Sequence, residues 1–314
     1  MDVSVIIPTH NPHEGRLRRT LAGLRAQGMD SNRWETLVID NATSPPLDLP
    51  ALEDAAPANL RIIREPLLGL THARRRGFTE AGAPILLLVD DDNVLEPDYL
   101  GNLVRLFAEH PRVGACGGRS LAEFERQPNA WQLDFIGLLA LRDYGDTPRI
   151  SNGLRPNGSA RIQYPVESAP IGAGMGIRRA AAQSWLADTS GRQLSDRRGG
   201  ELTSGGDNDI VLTVMEAGWE VAYFPELRLT HLIPAARLDE AYLARLNRGI
   251  QKSWMQALTK HGANPWPAIA AWTVPLRKAK AWWTNRAWTG PTGRILWEGA
   301  CGHFEGRVRP GDSP

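Results

Sequence analysis

Apolar residues along this chain come in short continuous runs separated by polar, helix-patterned stretches. Val3 to Ile7, Trp34 to Ile39, Leu60 to Ile63 and Ile85 to Val89 read as strands, and Leu17 to Arg25 and His72 to Ala81 as amphipathic helices between them. Runs without alternation imply burial on both sheet faces, which predicts an α/β fold with a mostly parallel central sheet flanked by helices. A helix from Pro97 to Glu109 and a strand at Val113 to Gly117 follow. From Glu123 to Arg161 the pattern loses its period and is rich in Pro, Gly, Asn and Arg, predicting an irregular insertion over the cleft. Order returns with a glycine-rich strand at Ile171 to Ile177, a helix from Asp207 through Met215 and a strand at Glu220 to Phe224. After His231 come a helix over Tyr242 to Leu258 and a Trp-rich tail. We divide the chain into a domain over 1–235 and a helical C-terminal extension over 236–314.

Ligands of such sheets collect beyond the carboxyl ends of the strands. Three polar segments occupy those ends: Thr9-His10-Asn11, Asp40-Asn41 and Asp90-Asp91-Asp92. The pattern therefore brings them into one crevice.

Composition narrows the partners. The 36 Lys and Arg nearly balance the 35 Asp and Glu, so there is no global basic field for nucleic acid and any anion site is local. Cys116 and Cys301 stand far apart with no close-spaced ligand to suggest a zinc cage, in keeping with a reducing cytoplasm. The opening Met1-Asp2-Val3-Ser4 lacks a signal-peptide pattern, and no apolar run approaches the ~20 residues that span a bilayer. The expected location is cytoplasmic, with peripheral attachment to a membrane surface left open.

Three consecutive carboxylates at a sheet end repel one another unless something positive holds them. A hard divalent cation takes oxygen ligands, keeps positions open for phosphate oxygens and neutralises a leaving group, so the triplet suits Mg²⁺ or Mn²⁺ bridging a diphosphate. A solvated turn, with Asp92 or Asn93 capping the helix near Pro97, is the plainer alternative.

Val-Ile-Ile-Pro-Thr-His-Asn at the start, then Leu-Val-Ile-Asp-Asn, Gly69-Leu-Thr-His-Ala-Arg74 and Leu-Leu-Val-Asp-Asp-Asp-Asn resemble, in order and spacing, the inverting family 2 glycosyltransferases of GT-A fold over about residues 3 to 235. The resemblance implies a nucleotide-sugar donor, a UDP-sugar foremost. Pro8, Thr9 and Asp40 then line the base and ribose pocket, with Asp40 accepting from a pyrimidine ring N–H. His72 and Arg74 flank the nucleotide. Asp92 is the direct metal ligand, with Asp90 and Asp91 reaching the ribose or metal-bound water.

The same resemblance extends to the second half. Gly172, Ala173, Gly174 and Met175 correspond to the segment lining the sugar and acceptor pocket, where small residues let substrate approach the backbone; a strand bulge is the alternative. Gly205-Gly206-Asp207-Asn208-Asp209 stands where the family usually carries Glu-Asp-x-Asp at a helix start. An inverting transfer needs one carboxylate as general base on the acceptor hydroxyl, and Asp207 aligns with it, with Asp209 in reserve. Gly206 departs from the usual Glu and removes one possible acceptor contact. His231 matches a third metal ligand of some GT-A enzymes or is a structural histidine. Arg197-Arg198-Gly-Gly and Gly205-Gly206 bracket a polar loop that either closes over the diphosphate or is simply solvated.

Trp266, Trp272, Trp282, Trp283, Trp288 and Trp297 alternate with Lys and Arg in the tail, which suits helices packed on the catalytic domain, a second subunit, or an anionic membrane interface. The acceptor class is a saccharide, lipid-linked or small-molecule hydroxyl. Two other classes compete: a non-catalytic nucleotide-sugar binder, and a sugar-1-phosphate nucleotidyltransferase. The latter needs a Gly-rich basic loop after the first strand, which Pro8-Thr9-His10-Asn11 is not.

Overall fold

The computed structural model describes residues 1–48, 50–153, 162–188, 202 and 205–309. Its N-terminal half repeats strand, helix, strand: β1 (Val3–Thr9), α1 (Glu14–Arg25), β2 (Trp34–Asn41), β3 (Leu60–Glu65), α2 (Leu70–Glu80) and β4 (Ile85–Leu88). There follow β5 (Asn93–Leu95), α3 (Tyr99–Glu109), β6 (Val113–Phe124), α4 (Ala130–Leu133), β7 (Arg149–Ser151), β8 (Met175–Arg178) and α5 (Arg179–Ala187). α6 (Gly206–Glu216), β9 (Glu220–Ile233), α7 (Glu240–Lys260), α8 (Val274–Thr284) and α9 (Pro291–Glu305) complete the chain.

The sheet runs β3-β2-β1-β4-β8-β6-β9-β5, with β7 also pairing β9. β1, β2, β3 and β4 are mutually parallel, as is the long β6 and β9 pair, whereas β8 inserts antiparallel between β4 and β6. Because side chains alternate along a strand, β1 feeds both cores: Val3, Val5 and Ile7 join Leu17, Leu21 and Leu103 on one face, and Ile6 joins Leu37, Phe78 and Ile210 on the other. This two-faced burial is what the uninterrupted apolar runs encode.

β6 and β9 extend beyond the expected ends at Gly117 and Phe224. Their pairing shifts register between Gly117 and Arg119. A Cβ on Gly118 would sit 2.1 Å from the Leu227 carbonyl oxygen, so the close approach of the two backbones there requires glycine. The strand expected at Ile171 to Ile177 begins only at Met175. Gly174 has φ +77° and a Cβ there would strike Leu229 and the Tyr99 hydroxyl, so the chain turns at Gly174 before entering β8. The insertion expected from Glu123 is partly ordered by α4 and β7, and its residues 154–161 lie outside the described residues.

The C-terminal helices pack back on the domain. Leu243 and Leu246 of α7 share a core with Phe135, Leu139, Ile233 and Leu238, and Met255 and Leu258 pack on Leu212 of α6. No helix among the described residues is long and apolar enough to cross a membrane.

Candidate active site

The carboxyl ends of β1, β2 and β4 open into a cavity of about 300 Å³. Pro8, Thr9 and His10 form one wall, Asn41 and Ala73 another, Asp90, Asp91 and Asp92 the floor, and Leu139, His231, Arg237 and Tyr242 the far side. Residues from both halves of the chain therefore meet where the parallel sheet predicts a ligand.

Main-chain pairing sets the position of each segment. Thr9 is in register with Asp40 across β1 and β2, and Val89 N–H donates to Ile6 C=O, carrying the triplet to the same level. Thr9 Oγ1 donates to Asp91 Oδ2, tying the first strand end to the triplet. Asn41 Nδ2 donates to the Leu67 carbonyl at 2.7 Å and its Oδ1 accepts from Gly69 N–H at 2.8 Å, so the entry of α2 is fastened to β2. Asn11, at φ +47°, accepts from Ser44 N–H at 3.1 Å and locks the loops after β1 and β2 together.

The triplet is neutralised in part by the protein itself. Arg237 Nη2 lies 2.8 Å from Asp92 Oδ2, and Arg237 also sits 3.0 Å from His231 Nε2. With Nε2 accepting from Arg237, His231 Nδ1 is left buried without a hydrogen-bond partner among the described residues. Enclosure by its neighbours and the negative charges of Asp92 and Asp90 push the Asp91 carboxyl up to about 7, against the hydrogen bond from Thr9. Arg237 does not cancel the local charge, and a carboxyl raised this far marks a place where further positive charge is welcome.

The donor set of three carboxylates beside an imidazole suits a hard divalent cation in kind. In the present arrangement no three His, Cys, Asp or Glu side chains converge on one point among the described residues.

Asp40 is not at the cavity surface. Burial opposes its charge, but hydrogen bonds from Thr43, Arg64 and the Leu47 N–H hold its carboxyl below the ordinary range. Arg64 Nη1 is 2.5 Å away, and Thr43 and Leu47 donate their N–H groups at 3.1 and 3.2 Å. These donors tie Asp40 to the 43–47 turn, next to the cavity residue Asn41. His72, half-buried on α2, also stands outside the cavity lining.

A second cluster lies on the other side of α2. Arg74, adjacent to the cavity residue Ala73, places Nη2 2.6 Å from Asp207 Oδ1, and Gly172 N–H donates to Asp207 Oδ2 at 2.8 Å. A Cβ at Gly172 would come within 2.4 Å of Arg74 and 2.8 Å of Asp207, so any larger residue must displace the ends of these two side chains. Asp207 stands in the first turn of α6, where the helix dipole favours a carboxylate, and its side chain keeps 19% of its surface exposed.

Met175 and Asp209 are both buried. Met175 is fully buried opposite Leu88 in the core, and Ala173 is buried beside it. Asp209, 2% exposed, accepts from Trp185 Nε1 at 2.9 Å and faces Lys260 Nζ at 2.6 Å and His261 Nε2 at 2.9 Å. It fastens α6 to α5 and to the end of α7. The basic segment Arg197-Arg198-Gly-Gly lies outside the described residues.

The glycosyl transferase family 2 model matches residues 4–186, spanning β1 through α5 and all three strand ends of the cavity. The chain belongs to that family. Its sheet, with the cavity at the parallel strand ends and helices on both faces, is the GT-A architecture. It is similar to the uncharacterized protein y4gI of Sinorhizobium fredii, 27% identical over 255 residues that make up 76% of this chain and 25% of that one. It is also similar to the succinoglycan biosynthesis protein ExoW of Rhizobium meliloti, 32% identical over 104 residues, 32% of each chain. The chain thus matches about a quarter to a third of the length of these relatives.

Arg237, His13 and Arg16 line the cavity without having been singled out from the sequence. Arg237 is returned to the triplet by the short 3₁₀ turn Ala235–Leu238 after β9, a tertiary event with no local signature beyond the Pro234 that opens it. His13 and Arg16 carried the weaker signal of basic residues at the start of a helix beside an anion site.

Proposed function

We propose that the protein is a glycosyltransferase that moves a sugar from a nucleotide-diphosphate sugar, foremost a UDP-sugar, to a hydroxyl of a saccharide or lipid-linked acceptor with inversion at the anomeric carbon. The observation that carries this reading is the convergence of Thr9, Asn41 and the Asp90–Asp92 triplet on one cavity within a family 2 domain. The ExoW similarity makes polysaccharide assembly the leading context.

Pro8, Thr9 and Asn41 bound the nucleoside end, with Asp40 and Arg64 bracing the turn behind it. His10, His13 and Arg16 face the diphosphate, beside the first turn of α1, whose N–H groups favour anions. Asp90, Asp91 and Asp92, with His231, are the residues that would hold Mn²⁺ or Mg²⁺. When bound, that cation supplies charge neutralisation to the departing diphosphate. Asp207 takes the acceptor proton as the hydroxyl attacks from the face opposite the leaving group, oriented by Arg74 and Gly172 N–H. No covalent enzyme intermediate is needed in a single displacement.

Screening nucleotide sugars for Mn²⁺-dependent hydrolysis, followed by acceptor trials with the donor so found, tests the proposal. Turnover of one donor class supports it. Mn²⁺-dependent UDP binding with no hydrolysis or transfer of any donor would instead favour a nucleotide-sugar-binding protein, and pyrophosphate release from a nucleoside triphosphate a nucleotidyltransferase.

A further inference from the structure

Between Ala241 and Trp297 the chain carries nine Lys and Arg and no Asp or Glu, although the whole protein is nearly neutral. Within this stretch α8 has two unlike sides. Its inner side is anchored to α9: Trp282 and Trp297 meet edge to face at 4.8 Å, Trp297 Nε1 donates to the Lys278 carbonyl at 3.0 Å, and Lys278 Nζ reaches Glu305 at 2.5 Å. Its outer side is apolar and open. Leu276, Ala279 and Trp283, at i, i+3 and i+7, fall on one helix face, with Trp272 just ahead of them. Trp272 is 75%, Leu276 67% and Trp283 69% exposed, and Trp288, 51% exposed, stacks edge to face on Trp283 at 4.9 Å.

Leaving these large apolar side chains in water forgoes a substantial burial free energy, and a contiguous patch of this kind marks a contact surface. Arg277, Lys280 and Arg286 are exposed around it and have no carboxylate partner among the described residues. Tryptophan with lysine and arginine around a leucine is the composition that seats a helix in the headgroup layer, indole rings at the acyl boundary and cations among phosphates.

We propose that the outer face of α8, with Trp272 and Trp288 at its ends, docks the protein on a bilayer surface bearing anionic lipid. Charge complementarity selects this occupant over a second copy of the chain. A two-fold contact through this patch would oppose Arg277, Lys280 and Arg286 to their own copies with no acidic residue within the segment to relieve them. α8 packs on α9, α9 on α7, and α7 contributes Tyr242 and Leu246 to the cavity, so continuous helix packing links the docked face to the candidate site.

The test is partition of the full chain onto phosphatidylcholine vesicles with and without about one third phosphatidylglycerol, read by sedimentation and by the blue shift of tryptophan emission. The wild type is expected on anionic vesicles only, with binding weakened as salt rises from about 0.1 to 1 M. Each cation near such a surface contributes about a fivefold factor, so the triple variant Arg277→Glu, Lys280→Glu, Arg286→Glu should lose on the order of a hundredfold or more. The variant Trp272→Ala, Leu276→Ala, Trp283→Ala should lose partition as well, with an unchanged melting temperature because all three side chains face solvent. Absence of wild-type partition, equal partition onto neutral vesicles, or a wild-type dimer in sedimentation equilibrium that the alanine variant dissolves would each overturn the proposal. The readout is partition, so its failure is separable from failure of the transfer reading.

Discussion

Arg74 and Asp207, on helices from opposite halves of the chain, form an ion pair at 2.6 Å whose carboxylate is also held by the main-chain N–H of Gly172. The acidic triplet lines the cavity, and this carboxylate is held by Arg74, the neighbour of the cavity residue Ala73.

Gly172→Ala places a methyl between Arg74 and Asp207, at 2.4 and 2.8 Å from their atoms. We expect kcat to fall by roughly tenfold to a hundredfold through misorientation of the carboxylate, with KM for the donor little changed. Steady-state kinetics with saturating donor check this, and an effect on KM alone would place Gly172 in donor binding.

Arg237→Gln removes the cation that faces Asp92. Nucleotide-free Mn²⁺ binding should tighten by roughly tenfold, because one positive charge no longer competes for the triplet. Calorimetric titration of Mn²⁺ into both proteins measures it. Unchanged affinity would show that the cation binds away from Asp92.

Tyr99→Phe deletes a hydrogen bond from a fully buried hydroxyl to the Gly174 carbonyl at 2.7 Å. The orphaned carbonyl should cost about 1 to 3 kcal/mol of stability, read from urea unfolding. The turn before β8 and the Gly172 contact beyond it should loosen together, visible as faster amide exchange at Gly172 and Gly174.

Stability should follow pH through the Asp209 cluster. Burial disfavours the His261 cation, but hydrogen bonds to Asp209 and Glu216 raise its pKa above the ordinary 6.5. A pKa raised on folding gives stability that is complete below about pH 6.5 and lost as pH rises through the higher folded value. Asp209 itself is shifted below 3.8, burial opposing its charge but hydrogen bonds from His261 and Lys260 favouring it, so its contribution is lost only in stronger acid. Melting temperature should therefore fall as pH rises above about 6.5, and His261→Gln should flatten that limb.

What the sequence made legible follows from how local each signal is. Val5, Ile6 and Ile7 announce a strand buried on both faces, and the polar residues after them must then lie at its carboxyl end, so Thr9, Asn41 and the triplet could be brought together on paper. The Arg64 partner of Asp40 was not legible, because a carboxylate at a strand end looks the same whether or not an arginine on the neighbouring strand answers it. The partners of Asp209 were hidden in the same way, Lys260 and His261 arriving from the distant end of α7. Arg237 was hidden by a turn whose direction only tertiary packing fixes. Glycines read as a strand from Ile171 proved to be a turn, because Gly174 is there for its positive φ and not for its place in a pleat.

The most direct test of the account is Asp207→Asn, which keeps the side chain's size and removes its basicity. Transfer measured with the active donor, beside UDP binding by calorimetry in Mn²⁺, should show kcat lower by roughly a hundredfold to ten-thousandfold with UDP affinity unchanged. Turnover retained near the wild-type rate would contradict the assignment of Asp207 as the base and, with it, the proposed division of the cleft into donor and acceptor sides.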